Sequence, residues 1–167
     1  MQLREFNGLA ADEAQRTVDP CLGVRRWVDE VVAGRPYADL AALVVQAKAS
    51  AENLSDGELA EALARHPRIG ERADPDVAGG QEADHSRREQ SGVSDHPELA
   101  DRLQKGNRRY EDRFGRVFLV RAAGRSGTQI LDELERRLDN DDETERRETV
   151  CALREIAVLR LQQVVQP

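Results

Sequence analysis

Residues 55–71 read SDGELAEALARHPRIGE, and this stretch decides the fold class. Ser55 and Glu58 have the S-x-x-E form of a capping box, which opens a helix at about Asp56. Leu59, Ala62, Leu63 and His66 then recur at the i, i+3, i+4, i+7 spacing of one helical face. Pro67 biases the residue before it away from the helical region, so the helix is expected to end at His66. His66 therefore falls on an inward-facing stripe at a helix C-terminus. The negative end of the helix dipole favours the imidazolium there, and burial disfavours it. Two readings stand: a core histidine hydrogen-bonded to a carbonyl, or a general acid–base poised near neutral pH.

Downstream, an Asp-, Ala- and Gly-rich loop (73–84, the expected disordered piece) leads into Ser86-Arg-Arg-Glu89-Gln90-Ser-Gly92. If this segment is helical, Ser86, Glu89 and Gln90 lie within roughly 100° of one another, since i→i+3 and i→i+4 are neighbour spacings. A hydroxyl, a carboxylate and a carboxamide then share one face, offering donors and acceptors together. Such a cluster is either a ligand-facing patch or a solvated surface.

The same helical period recurs along the chain. The spacing predicts helices over about 10–18 (stopped by Pro20), 24–32, 37–51 and 96–113, the last capped by Asp95. A helix carrying Ile130, Leu131, Leu134 and Leu138 follows Ser126, and a final one, capped by Asn140–Asp142, runs to about Val165. Phe114-Gly-Arg-Val-Phe-Leu-Val120 is β-prone but has no partner strand, and reads as a short extended segment near 115–121 crossing among helices. The expectation is an all-α, single-domain bundle of about eight helices over residues 1–167.

Composition agrees. Charged residues are 34% of the 167 and aromatics 4%, as in a soluble helical protein. The net charge of −7 argues against a broad nucleic-acid footprint, which needs a basic surplus, but allows an anionic small molecule held by a few buried arginines. No apolar run approaches membrane-spanning length. Cys21 and Cys151 match no paired motif and read as reduced, buried thiols, which suits a cytoplasmic location.

Arg160 lies within the apolar stripe of the last helix, between Ile156 and Val164. Burying a lone guanidinium costs several kcal/mol, so Arg160 must meet an internal carboxylate, reach the surface, or serve an anionic ligand. Arg137, in the preceding helix, reads as a surface residue by comparison. A competing site would use His66, His85 and Glu89 for a metal, since His85 and Glu89 are i, i+4 on a helix. A non-enzymatic alternative is a helical interaction module with charged faces.

Several motifs occur together and in order: Phe6-Asn7, the His66-Pro-Arg-Ile-Gly-Glu71 run, Ser86-x-x-Glu-Gln-Ser-Gly92 and Asn107-x-x-Tyr110-x-x-x-Phe114-Gly-Arg-Val-Phe118. A Gly-Arg-Ser turn, Ile130-Leu-x-x-Leu-x-x-Arg-Leu-x-Asn140 and Ile156-x-x-Leu-Arg-Leu161 complete the set. This order resembles the 2-oxo-4-hydroxy-4-carboxy-5-ureidoimidazoline (OHCU) decarboxylase family over nearly the whole chain. The resemblance implies an all-helical, usually dimeric enzyme that removes CO₂ from a urate-derived, anionic small molecule to give (S)-allantoin. It implies no metal, no organic cofactor, and neither nucleic acid nor membrane as partner. By that likeness His66, Glu89 and Arg160 are catalytic. Pro67, Ser86, Gln90 and the backbone of Phe118, Leu119 and Val120 line the substrate pocket. The loop between His66 and Glu89 is more acidic here than the family pattern and carries the additional His85.

Overall fold

The computed structural model describes residues 1–66, 68–69 and 97–167. Among them are eight α-helices: α1 Leu3–Gly8, α2 Ala11–Leu22, α3 Arg25–Ala33, α4 Leu40–Ser50, α5 Asp56–Ala64, α6 Pro97–Phe114, α7 Gly127–Arg137 and α8 Asp142–Val164. No strand occurs among the described residues beyond an isolated bridge between Gln2 and Gln166, so the all-α expectation holds. No described helix is long and apolar enough to cross a membrane. The expected helix at Ser86–Gln90, its His85, the Ala73–Asp84 loop and the Asp95 cap lie outside the described residues. The chain divides into two compact units, Met1–Ala62 with Leu153–Pro167, and Leu63–Ala152.

In the first unit, α2 packs on α3 and α3 on α4. Trp27, Val28, Val31 and Val32 bury one face of α3, as the spacing predicts, and the Trp27 indole N–H donates to the Ala47 carbonyl at 2.9 Å. That bond satisfies the indole's polar end inside an apolar core. The sequence reading missed α1, which is too short for a helical period to show. Long-range bonds hold it instead. Asn7 and Tyr37 exchange side-chain and backbone hydrogen bonds at 2.9 and 3.0 Å. Arg35 donates to the carbonyls of Phe6 and Leu9 at 2.7 and 2.9 Å, satisfying the orphan C=O groups at the end of α1. Helix α2 also differs from expectation, because Pro20 does not stop it. Pro20 sits in the last turn, inside the helix Ala11–Leu22. The helix closes on Gly23 (φ 74°), whose N–H bonds the Asp19 carbonyl at 2.8 Å.

The Ser55–Glu58 capping box is present. Ser55 N–H donates to Glu58 at 2.8 Å, and Glu58 N–H to Ser55 Oγ at 3.3 Å. Arg26 of α3 holds the same carboxylate at 2.7 and 3.3 Å. Hydrogen bonds from Arg26, then from the Ser55 backbone, lower the Glu58 pKa to about 2.

The second unit is built on α6 and α7, which pack together around Leu103, Tyr110, Phe118, Val120, Ile130, Leu131 and Leu134. Their close approach depends on Gly106: a Cβ there would lie 2.5 Å from Leu134 Cδ2, and Leu134 is fully buried. Helix α7 opens on a capping box between Ser126 and Gln129, directly after the Ser126 break read from the sequence. The segment after Phe114 is neither helix nor strand over 117–122, yet Phe118, Leu119 and Val120 are buried. The segment thus crosses the core as buried, non-helical chain.

Candidate active site

His66 follows the end of α5 and is 7% exposed. The helix stops at Ala64, two residues before the boundary expected from Pro67, and His66 N–H turns back to the Leu63 carbonyl at 3.0 Å. This tightened last turn places the imidazole inward. The residues after it are held by α6. Asn107, a buried amide on the apolar face of that helix, donates to the Ile69 carbonyl at 2.9 Å. Arg68 grips Glu111 with both forks of its guanidinium at 2.5 and 2.8 Å. The histidine loop is thus tied down two and three residues beyond the imidazole.

The same helix anchors the extended segment. Tyr110, one turn beyond Asn107, places its ring 5.3 Å from that of Phe118, edge to face. Behind them lies a buried network that the sequence reading did not foresee. Arg137 is 1% exposed, which overturns its reading as a surface residue. Its Nε donates to the two Glu145 oxygens at 2.9 and 3.1 Å, and its Nη2 to Glu145 and to Thr149 at 3.0 Å. Tyr110 donates its hydroxyl to Glu145, and Asn140 donates to the same carboxylate at 2.8 Å. The remaining fork, Nη1, reaches the Leu119 carbonyl at 2.7 Å. Burial disfavours the charge on Arg137, but the hydrogen bonds and attraction of Glu145 outweigh it and raise its pKa. Burial, reinforced by its bond to Glu145, pushes the Tyr110 phenol up to about 12, so it stays a neutral donor. A sequence signal existed: Ile130, Leu134 and Arg137 are i, i+4, i+7, the same rule that singled out Arg160.

Arg160, in the first unit, is also 1% exposed, which removes the surface-reaching alternative. Its Nη1 points to the Pro20 carbonyl at 3.5 Å, in the last turn of α2, where the helix dipole favours a cation. The neighbouring Cys21 thiol is pushed up to about 12 by burial, against the pull of the Arg160 charge. Cys21 is buried as expected, whereas Cys151 is only partly so; both are free thiols.

His66 and Phe118–Val120 thus share the second unit, joined through α6, and Arg160 belongs to the first. Pro67, Ser86, Glu89 and Gln90 lie outside the described residues, as does His85 of the competing metal set. Among the described residues no group of three metal-ligating side chains occurs.

The family model for OHCU decarboxylase matches residues 7–162 of this chain. The chain belongs to the OHCU decarboxylase family. The match runs through both compact units. An OHCU decarboxylase of Haloferax volcanii is 29% identical over 136 residues, 81% of this chain and 79% of that protein. A uric acid degradation bifunctional protein of Bacillus sp. (strain TB-90) is 25% identical over 98% of this chain. Only 32% of the bifunctional protein is covered, so the chain spans about a third of its length. In fold, the chain resembles a crystal structure of OHCU decarboxylase in the presence of (S)-allantoin. The TM-score is 0.72 at 21% identity, over 87% of this chain and 94% of that one. A crystal structure of (S)-allantoin synthase gives the same TM-score of 0.72 at 16% identity, over 99% of this chain and 54% of that one. Within the family pattern, Asn107, Tyr110, Arg137 and Asn140 are motif positions, and here they form the frame around the histidine loop and the Phe118–Val120 segment.

Proposed function

We propose that this protein decarboxylates OHCU to (S)-allantoin in urate breakdown, acting as a carboxy-lyase without metal or organic cofactor. The observation that carries the reading is His66. It is an inward-turned, buried histidine at a helix end, within a His-Pro-Arg-Ile-Gly-Glu run, in a chain matched to this family over residues 7–162. Residues 1–167 are read as one functional domain, since the family match crosses both units. A cytoplasmic homodimer is the expected form.

In the proposed mechanism the carboxylate leaves ring carbon 4 as CO₂, and the electron pair passes into the ring. The ring nitrogen that receives the pair takes up a proton, the hydroxyl on carbon 4 loses its own to become a carbonyl, and one proton is delivered to the ureido-bearing carbon. His66 moves a proton, either from the hydroxyl or onto the carbanionic ring. Transfer from one fixed group to one face gives a single enantiomer. Arg160 holds an anionic group of the substrate, with charge-assisted hydrogen bonds that its burial strengthens. Ser86, Gln90, Pro67 and the backbone of Phe118–Val120 hold the ring and ureido edges, and Glu89 orients the substrate or His66. The family membership favours neither the metal-dependent alternative nor the interaction module.

The test generates OHCU freshly from urate with the two preceding enzymes and follows circular dichroism. The expected result is rapid appearance of the (S)-allantoin signal, lost in His66→Ala and much reduced in Arg160→Ala. Folded wild-type protein that leaves OHCU to its slow, racemic spontaneous decay refutes the proposal.

A further inference from the structure

We propose that Arg137 is a positioning residue that sets the Phe118–Val120 backbone for the substrate. The inference rests on the reading above, in which that backbone meets the ligand.

The geometry singles out Arg137. It touches two of the three residues of the segment: Nη1 holds the Leu119 carbonyl at 2.7 Å, and its guanidinium lies 5.0 Å from the centre of the Phe118 ring. Tyr110 closes the other contact on Phe118, ring to ring, while its hydroxyl bonds to Glu145. The segment has no strand partner to fix its peptide planes, since 117–122 is neither helix nor strand. One buried, charged donor does that work. Because a trans peptide is planar, fixing the Leu119 carbonyl toward Arg137 also turns the Val120 N–H to the opposite side, away from the network.

A purely stabilising role explains less. Buried ion pairs add little over apolar residues of the same volume, because desolvation offsets the attraction. Here Glu145, Thr149 and Tyr110 occupy Nε and Nη2 of the guanidinium, and the remaining nitrogen is directed outside the network, at one backbone carbonyl. The rigid planar fork lets one side chain hold Glu145 and Leu119 at a fixed angle, which a lysine cannot do.

The experiment compares wild type with Arg137→Met/Glu145→Gln, which removes both buried charges together so that neither is stranded. Far-UV circular dichroism and a thermal melt establish folding, and steady-state kinetics are run on freshly generated OHCU. The expected result is a KM raised about five- to tenfold, the loss of one or two well-placed hydrogen bonds, with kcat within about twofold. If the double variant does not fold, Arg137→Lys carries the test, because it keeps the charge opposite Glu145 but cannot reach Leu119 as well. The same KM-only change is expected. A folded variant with wild-type KM, or one whose kcat falls at constant KM, overturns this inference and leaves the proposed activity standing. Wild-type protein without turnover overturns the activity, and this inference with it.

Discussion

Removing the Glu145 carboxylate is the severest single test of the buried network. Both side chains of the Arg137–Glu145 pair are essentially inaccessible, at 2% and 0%. In Glu145→Ala, Arg137 loses the acceptor for Nε at 2.9 and 3.1 Å and its main acceptor for Nη2. Tyr110 and Asn140 each lose an acceptor as well. The guanidinium is buried away from water, and arginine is not deprotonated in proteins, so its charge stays in place. Stranding one partner of a buried pair costs about 3–5 kcal/mol. For a chain of this size, each kcal/mol moves the melting temperature by about 2–4 °C, so a fall of roughly 6–20 °C is expected. Glu145→Gln keeps the shape and one carbonyl acceptor and should lose about half as much. Arg137→Leu/Glu145→Leu, which leaves no charge behind, should lie within about 2 kcal/mol of wild type. Urea unfolding followed by far-UV circular dichroism measures all three. The reasoning is refuted if Glu145→Ala costs less than the double variant, because the carboxylate would then not be compensating Arg137.

Gly106→Ala should lower the melting temperature even though alanine is the better helix former by about 1 kcal/mol. The added methyl meets the immovable Leu134, and overpacking of that kind costs about 1–3 kcal/mol, so a rise in stability would contradict the tight α6–α7 contact. The Arg26–Glu58 clasp sets a pH dependence. Glu58 has a lowered folded-state pKa, so its contribution is complete above the ordinary value of 4.5 and fades as pH falls toward about 2. Acid titration of stability should therefore be flatter in Glu58→Gln between those limits, and identical curves would discount the clasp. Cys21, buried with its thiol pushed up to about 12, should resist iodoacetamide at pH 8 in the folded protein and react in urea, while the partly buried Cys151 reacts first. Mass spectrometry of the labelled peptides decides between the two orders.

Local rules carried far in this chain. The Ser55 capping box, the apolar face of α3, and the buried stripe positions of His66 and Arg160 all follow from residues within a turn or two of one another. The errors share a cause as well. α1 is six residues long and is held by Arg35, Tyr37 and the chain's far end, none of them local. Pro20 lies within α2, and the helix ends three residues later, on the left-handed Gly23. Arg137 had the spacing of a buried residue, and its charge outweighed the spacing in the reading.

The sequence by itself determined most of the helices after α1, the apolar stripes that face inward, and the family to which the motifs in that order point. Periodicity and capping are set by neighbours a few residues apart, so they can be read without a fold. Only the tertiary structure decided what each buried polar group meets. Arg137 found Glu145 eight residues on and Leu119 eighteen back, and Asn107 found Ile69 across 38. A buried charge is tolerable only beside a partner, and that partner is chosen by how the chain returns on itself.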